Sequence, residues 1–292
     1  MITVSVIVLT YQHEKFIAQT LDSLLSQKCS FKYEIIIAED GSKDLTREIS
    51  KNYVVKFPEI VRLIGNGNNL GISENFVFAT KECKGSFIAF CEGDDYWLDD
   101  YKLQKQVDFL KNNSEYVVCY HNSNTVDQNN KIINNMFISE QHCRDYTSEE
   151  LKKASFIQFL TCCFRNCLTE YPDEFYGKIG GDTFLTSLLG NHGKGKYMSN
   201  IGVGASYRIH SGGIFSSKNS IRKQLFRANT HLAIALYYKR TNDLELKSFF
   251  IDRYKWILKD TIKLAIFQKN IKEIIILYWK YYKNEIALKF ST

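Results

Sequence analysis

The first 120 residues alternate between short apolar runs and stretches of helical periodicity, which leaves few folds open. Apolar runs occupy 4–10, 34–38, 60–64, 87–91 and 116–120, and they are rich in Val, Ile and Phe. Their length and composition predict buried strands. Between them, 14–27 sets Phe16, Ile17, Leu21, Leu24 and Leu25 at helical spacing, and 45–56 follows Ser42 and Asp44, which can cap it. Segments 73–83 and 99–112 read as further helices, the second with Leu103, Val107 and Leu110 on one face. Strand and helix in turn mark a mostly parallel sheet covered on both faces, with right-handed crossovers. The expected class is α/β.

In such a sheet, ligands bind beyond the carboxyl ends of the strands. The stretch 87–100, FIAFCEGDDYWLDD, runs from an apolar strand straight into Glu92, Gly93, Asp94 and Asp95. Crowded acids repel one another unless a cation neutralises them. A hard divalent ion, Mg²⁺ or Mn²⁺, suits oxygen ligands and commonly shares them with a diphosphate. A solvated acidic turn after a strand is the competing reading.

The remaining chain narrows the choices. Its 292 residues suffice for one large domain with an appendage, and a formal charge of +6 is too modest for a whole-protein role on nucleic acid. Eight irregularly spaced cysteines read as a reduced, intracellular set. Cys162, Cys163 and Cys167 lack the spacing of a zinc or redox motif and are expected to pack as small hydrophobes. The opening MITVSVIVLTYQ has no basic leader and a run too short to span a bilayer, so neither signal peptide nor anchor is expected there. Beyond residue 123 the pattern loosens. Residues 124–135 are polar and Asn-rich, a hairpin or mobile loop; 156–164 reads as a strand, 180–191 as a helix with Asp182 in its first turn, and 197–209 as extended. From 221 to 290 the chain is helical in character, which puts a boundary near 215.

Four blocks, VSVIVLTYQHEKFIAQTLDSLLSQ, EIIIAEDGSKDLT, FIAFCEGDDYWLDDYKLQKQ and YRIHSGGIFS, occur in an order and spacing that resembles the family 2 glycosyltransferases of GT-A fold. The resemblance covers most of the first 215 residues. It implies a Rossmann-like, mostly parallel mixed sheet flanked by helices, with 1–122 as the nucleotide-binding half and 123–215 as the acceptor half. Residues 216–292 would be a helical C-terminal extension. It also implies inverting transfer from a nucleotide-diphosphate sugar, usually a UDP-sugar, to a hydroxyl of a glycan or lipid-linked acceptor, with Mn²⁺ or Mg²⁺ on the diphosphate. Carried over by residue, Thr10 and Tyr11 line the nucleoside pocket and Asp40 contacts the base or ribose. Asp94 and Asp95 occupy the metal-binding motif, with Glu92 where many members have another Asp. Asp182 falls at the general base, and His210 at a position that contacts metal or diphosphate. Glu39 departs from the usual Asp, and Asp100 from a common proline.

Each residue also has a plainer reading. Asp182 suits a first helical turn on dipole grounds alone, although Gly180 and Gly181 permit close approach of substrate. His210 reads equally as a hydrogen-bonded strand-end histidine, and Arg208 as a partner of either phosphate or a surface acid. Tyr96 and Trp97 are a sugar platform or core; Asn69, Gly71 and Asn75 touch nucleotide or merely build a turn. Two other functions compete: a nucleotidyltransferase, disfavoured because TYQHEK lacks a glycine-rich phosphate loop, and a non-catalytic nucleotide-sugar-binding scaffold, disfavoured by the intact acids. The basic, aromatic segment 249–290 either packs on the catalytic domain or a second copy, or lies in an anionic membrane interface. The implied location is cytoplasmic, with peripheral contact at the inner face of the plasma membrane as an option.

Overall fold

Side chains rich in Val, Ile and Phe with no polar face to offer water take the centre of a seven-stranded sheet. The computed structural model describes residues 1–65, 67–177, 179–213, 220–268 and 276. They fall into two compact units: Met1–Tyr171 with Leu185–Gly213, and Pro172–Phe184 with the residues from 214 onward.

The first unit runs β1 (Val4–Thr10), α1 (Ile17–Leu25), β2 (Tyr33–Glu39), α2 (Thr46–Lys56), β3 (Val61–Ile64), α3 (Ile72–Lys81), β4 (Phe87–Glu92), β5 (Tyr96–Trp97) and α4 (Lys102–Asn112). It continues through β6 (Tyr116–Tyr120), β7 (Asn122–Val126), β8 (Ile132–Asn134), α5 (Ser148–Lys152) and β9 (Cys163–Arg165). After α6 (Gly181–Leu189) come β10 (Lys194–Tyr197) and β11 (Val203–Arg208).

The large sheet has the order β10-β6-β9-β4-β1-β2-β3. β1 pairs in parallel with both β2 and β4, whereas β9 lies antiparallel between β4 and β6. The chain therefore steps from β1 through β2 to β3 in one direction and returns to place β4 on the other side of β1. That reversal opens a crevice beyond the carboxyl ends of β1 and β4, the place where open α/β sheets take ligands. A smaller sheet, β5-β11-β7-β8, carries β11 toward the same edge through the antiparallel β5–β11 pair.

One local expectation changes and another narrows to one of its alternatives. Segment 156–164 forms a strand only from Cys163; Ile157, Phe159 and Leu160 are buried as an irregular stretch and short turn. An apolar run reports burial and cannot by itself report extension. Segment 124–135 is a hairpin, with β7 and β8 antiparallel. All eight cysteines are free, and Cys162 and Cys163 are fully buried while Cys167 is half-buried.

In the second unit, α7 (Ser220–Arg240) and α8 (Leu244–Phe267) pack together around Ala228, Tyr254, Ile257, Leu258 and Ala265. Asn242 turns the chain between them at a φ of 62°, and the Asp243 carboxylate caps α8 by accepting the Leu246 N–H. Arg240 grips Glu174 with two nitrogens, each at 2.9 Å. The helices thus bury much of their apolar surface on each other, as far as residue 268. The expected boundary near 215, and the IKEIIILYWKYYK portion of the tail, lie outside the described residues. The second unit also takes in 172–184, from the segment assigned to the acceptor half. No described helix is long and apolar enough to cross a membrane.

Candidate active site

Three chain segments meet beyond β1 and β4. β1 ends at Thr10, and the turn that follows bends through Gln12 at a φ of 58° to place His13. The His13 N–H donates to Thr46 Oγ1 at 2.8 Å, and its Nδ1 lies 3.2 Å from Thr10 Oγ1. β4 ends at Glu92, and Gly93 passes so close to β1 that an added Cβ would lie 2.5 Å from Thr10 Oγ1 and 2.8 Å from His13 Nδ1. Only glycine permits that approach. Thr20 Oγ1 then fastens the acidic loop to α1, reaching Gly93 O at 3.0 Å and Asp95 O at 2.6 Å. The third segment is the end of β11, where Arg208 precedes His210.

These segments converge on Asp94. Its Oδ2 lies 2.9 Å from His210 Nε2 and 3.7 Å from His13 Nε2, and the three side chains present ligand atoms within 4.8 Å of one another. The His210 ring rests against Phe16 at 4.8 Å. Burial opposes the charge on Asp94, but the adjacent His210 and His13 imidazoles hold its pKa below the ordinary carboxylate value. Burial lowers the pKa of His13, against the opposing pull of Asp94, which favours the neutral ring.

An anionic oxygen with two imidazole nitrogens is a donor set for a divalent ion. With metal–ligand bonds of about 2.1 Å, two ligand atoms stand about 3.0 Å apart at a right angle and about 3.6 Å apart at 120°. The 2.9 Å separation is that of a direct His210–Asp94 hydrogen bond and is also open to two ligands at a right angle, while 3.7 Å is close to the 120° spacing. The residues fit the ion.

Of the residues expected in the site, Asp94 and His210 come together, and His13 joins them unannounced. In the sequence it is only one member of the polar loop after the first strand; its one signal is a place at the carboxyl edge of a central strand. Asp95, expected as a second ligand, stands outside this trio. It is buried, its Oδ1 accepts the Arg208 N–H at 2.7 Å, and its Oδ2 has no hydrogen-bond partner among the described residues. Burial, with Asp94 and Glu92 adding, drives its pKa well above the ordinary value.

Arg208 is likewise turned to the protein. Its guanidinium reaches Asp94 O at 2.8 Å, Asn130 Oδ1 at 2.9 Å and Gln19 Oε1 at 2.8 Å, lying over the Phe16 and Tyr96 rings. In this geometry it holds the acidic loop, and most of its N–H groups are engaged by the protein. Asp40, beside the end of β1, accepts the Leu70 N–H at 2.6 Å and the Gly71 N–H at 3.1 Å, while Asn69 donates to Asp40 O. The Asp40 carboxylate thereby folds the loop of residues 67–71 against β2. Thr10 is buried under His13, and Tyr11 stands half-exposed next to it.

Several further side chains at this edge have structural partners. Trp97 is core: it is buried, donates to Leu160 O and carries Lys102 Nζ 3.9 Å from its ring centre. Asn75 is structural, its amide donating to Ala38 O. The Glu39 carboxylate is fully buried and pairs with Arg47 at 2.7 Å, while Asp100 bridges to Lys28 at the surface. Asp182 belongs to the second unit, in the first turn of α6, where its Oδ1 accepts the Thr183 N–H. Its side chain is solvent-exposed, yet desolvation by surrounding protein still raises its pKa above the ordinary value.

Residues 5–169 match the sequence profile of glycosyl transferase family 2. An uncharacterized protein of Mycobacterium tuberculosis is 30% identical over 228 residues, covering 78% of this chain and 64% of that protein. The uncharacterized glycosyltransferase EpsJ of Bacillus subtilis is 29% identical over 162 residues, 56% of this chain and 46% of EpsJ. The chain thus corresponds to only part of either relative. Among solved structures, S. aureus TarS 1–349 in complex with UDP-GlcNAc aligns with a TM-score of 0.58 at 20% identity, over 90% of this chain and 81% of that one. The mannosyltransferase PcManGT of Pyrobaculum calidifontis, in complex with GDP-Man and Mn²⁺, aligns with a TM-score of 0.57 at 13% identity, over 90% and 74%. At such identities the likeness establishes the fold, GT-A, and nothing finer.

Proposed function

The chain belongs to glycosyl transferase family 2, and on that premise we propose that it is an inverting transferase acting on a nucleoside-diphosphate sugar. A UDP-sugar is the first choice of donor, and the acceptor is a hydroxyl of a glycan or a lipid-linked oligosaccharide. The observation that carries this reading is the convergence of Asp94, His210 and His13 beyond β1 and β4. The complexes of TarS with UDP-GlcNAc and of PcManGT with GDP-Man support the donor class.

Asp94 and His210 would hold Mn²⁺ or Mg²⁺, and such an ion would supply positive charge to the diphosphate leaving group. Asp95 keeps the acidic loop in place by accepting the Arg208 N–H on Oδ1, which leaves Oδ2 as its only oxygen without a partner among the described residues. Thr10 and Tyr11 face the nucleoside, and Asp40 shapes its pocket through the loop at Leu70 and Gly71. Asp182 takes the proton of the acceptor hydroxyl as the glycosidic bond forms. A raised carboxylate pKa makes it a better match for that task. A lipid-linked acceptor would place the reaction at a membrane surface.

The experiment is a panel of UDP-, GDP- and TDP-sugars with Mn²⁺ or Mg²⁺, read by nucleotide release and by thermal stabilisation. One donor should stabilise the protein and be turned over. Absence of both effects across the panel, with either metal, refutes the proposal.

A further inference from the structure

We propose that His13 is a third protein ligand of the divalent ion, making a two-imidazole, one-carboxylate site that prefers Mn²⁺ to Mg²⁺. This deepens the metal-dependent reading above and rests on it. Four observations on His13 carry it.

First, its Nε2 lies 3.7 Å from Asp94 Oδ2, a spacing that a shared ion explains and that is too long for a hydrogen bond. Second, its other nitrogen already has a partner: Nδ1 lies 3.2 Å from Thr10 Oγ1, so Nε2 is the nitrogen that faces Asp94, and in the Nδ1–H tautomer its lone pair would be open to an ion. Metal-binding histidines commonly show this division, one ring nitrogen on a polar protein group and the other on the ion. Third, the residue is held by its backbone as well: the N–H is bonded to Thr46, and the carbonyl accepts the N–H groups of Phe16 and Ile17, each at 2.9 Å. Fourth, the absence of a side chain at Gly93 makes room for the ring where it stands, since a Cβ there would lie 2.8 Å from Nδ1.

The consequence follows from ligand chemistry. Mg²⁺ favours oxygen donors and retains its waters, whereas imidazole nitrogens suit transition ions better. A site with one carboxylate and two imidazoles therefore discriminates by softness, before any nucleotide supplies its phosphate oxygens.

The test uses the full chain, with Mn²⁺ and Mg²⁺ titrated calorimetrically with and without UDP. Pulsed electron paramagnetic resonance on ¹⁵N-histidine-labelled protein counts the imidazoles on Mn²⁺. Wild type should bind Mn²⁺ at least about ten-fold more tightly than Mg²⁺ and show two histidine nitrogens. His13→Gln should lose about ten-fold or more in Mn²⁺ affinity, show one nitrogen, and narrow the gap to Mg²⁺. A single histidine nitrogen in wild type overturns the proposal whether or not the variant folds. So does unchanged Mn²⁺ binding by folded His13→Gln, and in both cases the transferase reading stands. If wild type binds UDP-sugar and turns it over with no Mn²⁺ or Mg²⁺ bound, the metal reading itself falls.

Discussion

His210 Nε2 lies 2.9 Å from Asp94 Oδ2, joining the end of β11 to the end of β4 across 116 residues of sequence. The same acidic loop is tied again by the Arg208 N–H to Asp95 and by the Arg208 guanidinium to the Asp94 carbonyl. The smaller sheet thus delivers a histidine to an aspartate that the larger sheet presents.

Removing either partner should disable the site by different amounts. Asp94→Asn is expected to lower kcat/KM by about 10²-fold or more, because the anionic ligand is lost. His210→Gln is expected to cost about 10- to 100-fold. Nucleotide release with the donor identified by the panel, measured beside Mn²⁺ affinity, checks both. Equal activity in Asp94→Asn would mean that the carboxylate does not serve the reaction.

Gly93→Ala places a methyl group 2.5 Å from Thr10 Oγ1 and 2.7 Å from Thr10 Cβ. Neither neighbour can retreat without moving β1 or His13. The expected destabilisation is about 1–3 kcal/mol, with weaker Mn²⁺ binding beyond that. Urea unfolding midpoints and metal titration on the same samples would show it, and a variant indistinguishable from wild type in both would contradict the packing described.

Arg208→Lys keeps the charge and loses the fork. One ammonium cannot replace a guanidinium that reaches Asp94 O, Asn130 and Gln19 while lying over Phe16 and Tyr96. A loss of about 2–4 kcal/mol is expected, together with reduced activity as the acidic loop loosens. If stability holds and only the KM for donor rises, Arg208 acts on the nucleotide after all.

Asp182→Asn should reduce kcat by about 10²- to 10⁴-fold while leaving donor affinity and Mn²⁺ affinity close to wild type. A split of that kind separates proton abstraction from donor binding. Near-normal turnover would exclude Asp182 as the base.

His231, on the face of α7 that meets α8, stacks on Phe250 with its Nδ1 buried and unpaired among the described residues, and burial pushes its pKa down to about 4. An unfolded histidine titrates near 6.5, so between these values the unfolded chain binds more protons than the folded one. Stability from this group is complete above that upper value and declines as pH falls toward about 4, by up to about 3 kcal/mol. Thermal melts from neutral pH downward should show the decline, and His231→Phe should flatten it. An unchanged slope in the variant would assign the acid sensitivity elsewhere.

Much of the architecture was legible in local pattern. Runs of β-branched residues announced β1, β2 and β4, because such side chains need burial on both faces of a parallel sheet; the spacing of Leu103, Val107 and Leu110 announced α4 for the same reason of partitioning from water. The acids that begin at Glu92 pointed to the edge where the candidate site lies, since a strand that ends in carboxylates delivers them where a crevice opens. What pattern could not reveal was which groups share an atom's neighbourhood. His13, Asp94 and His210 come from three segments, and nothing in their spacing along the chain sets the distances between them. Nor could composition tell that Asp95 would be turned to a backbone N–H and Arg208 closed on the protein, because hydrogen-bond partners are chosen by proximity once the sheets have formed. The order in which β4 returns beside β1, and the passage of Gly93 against Thr10, settled those contacts.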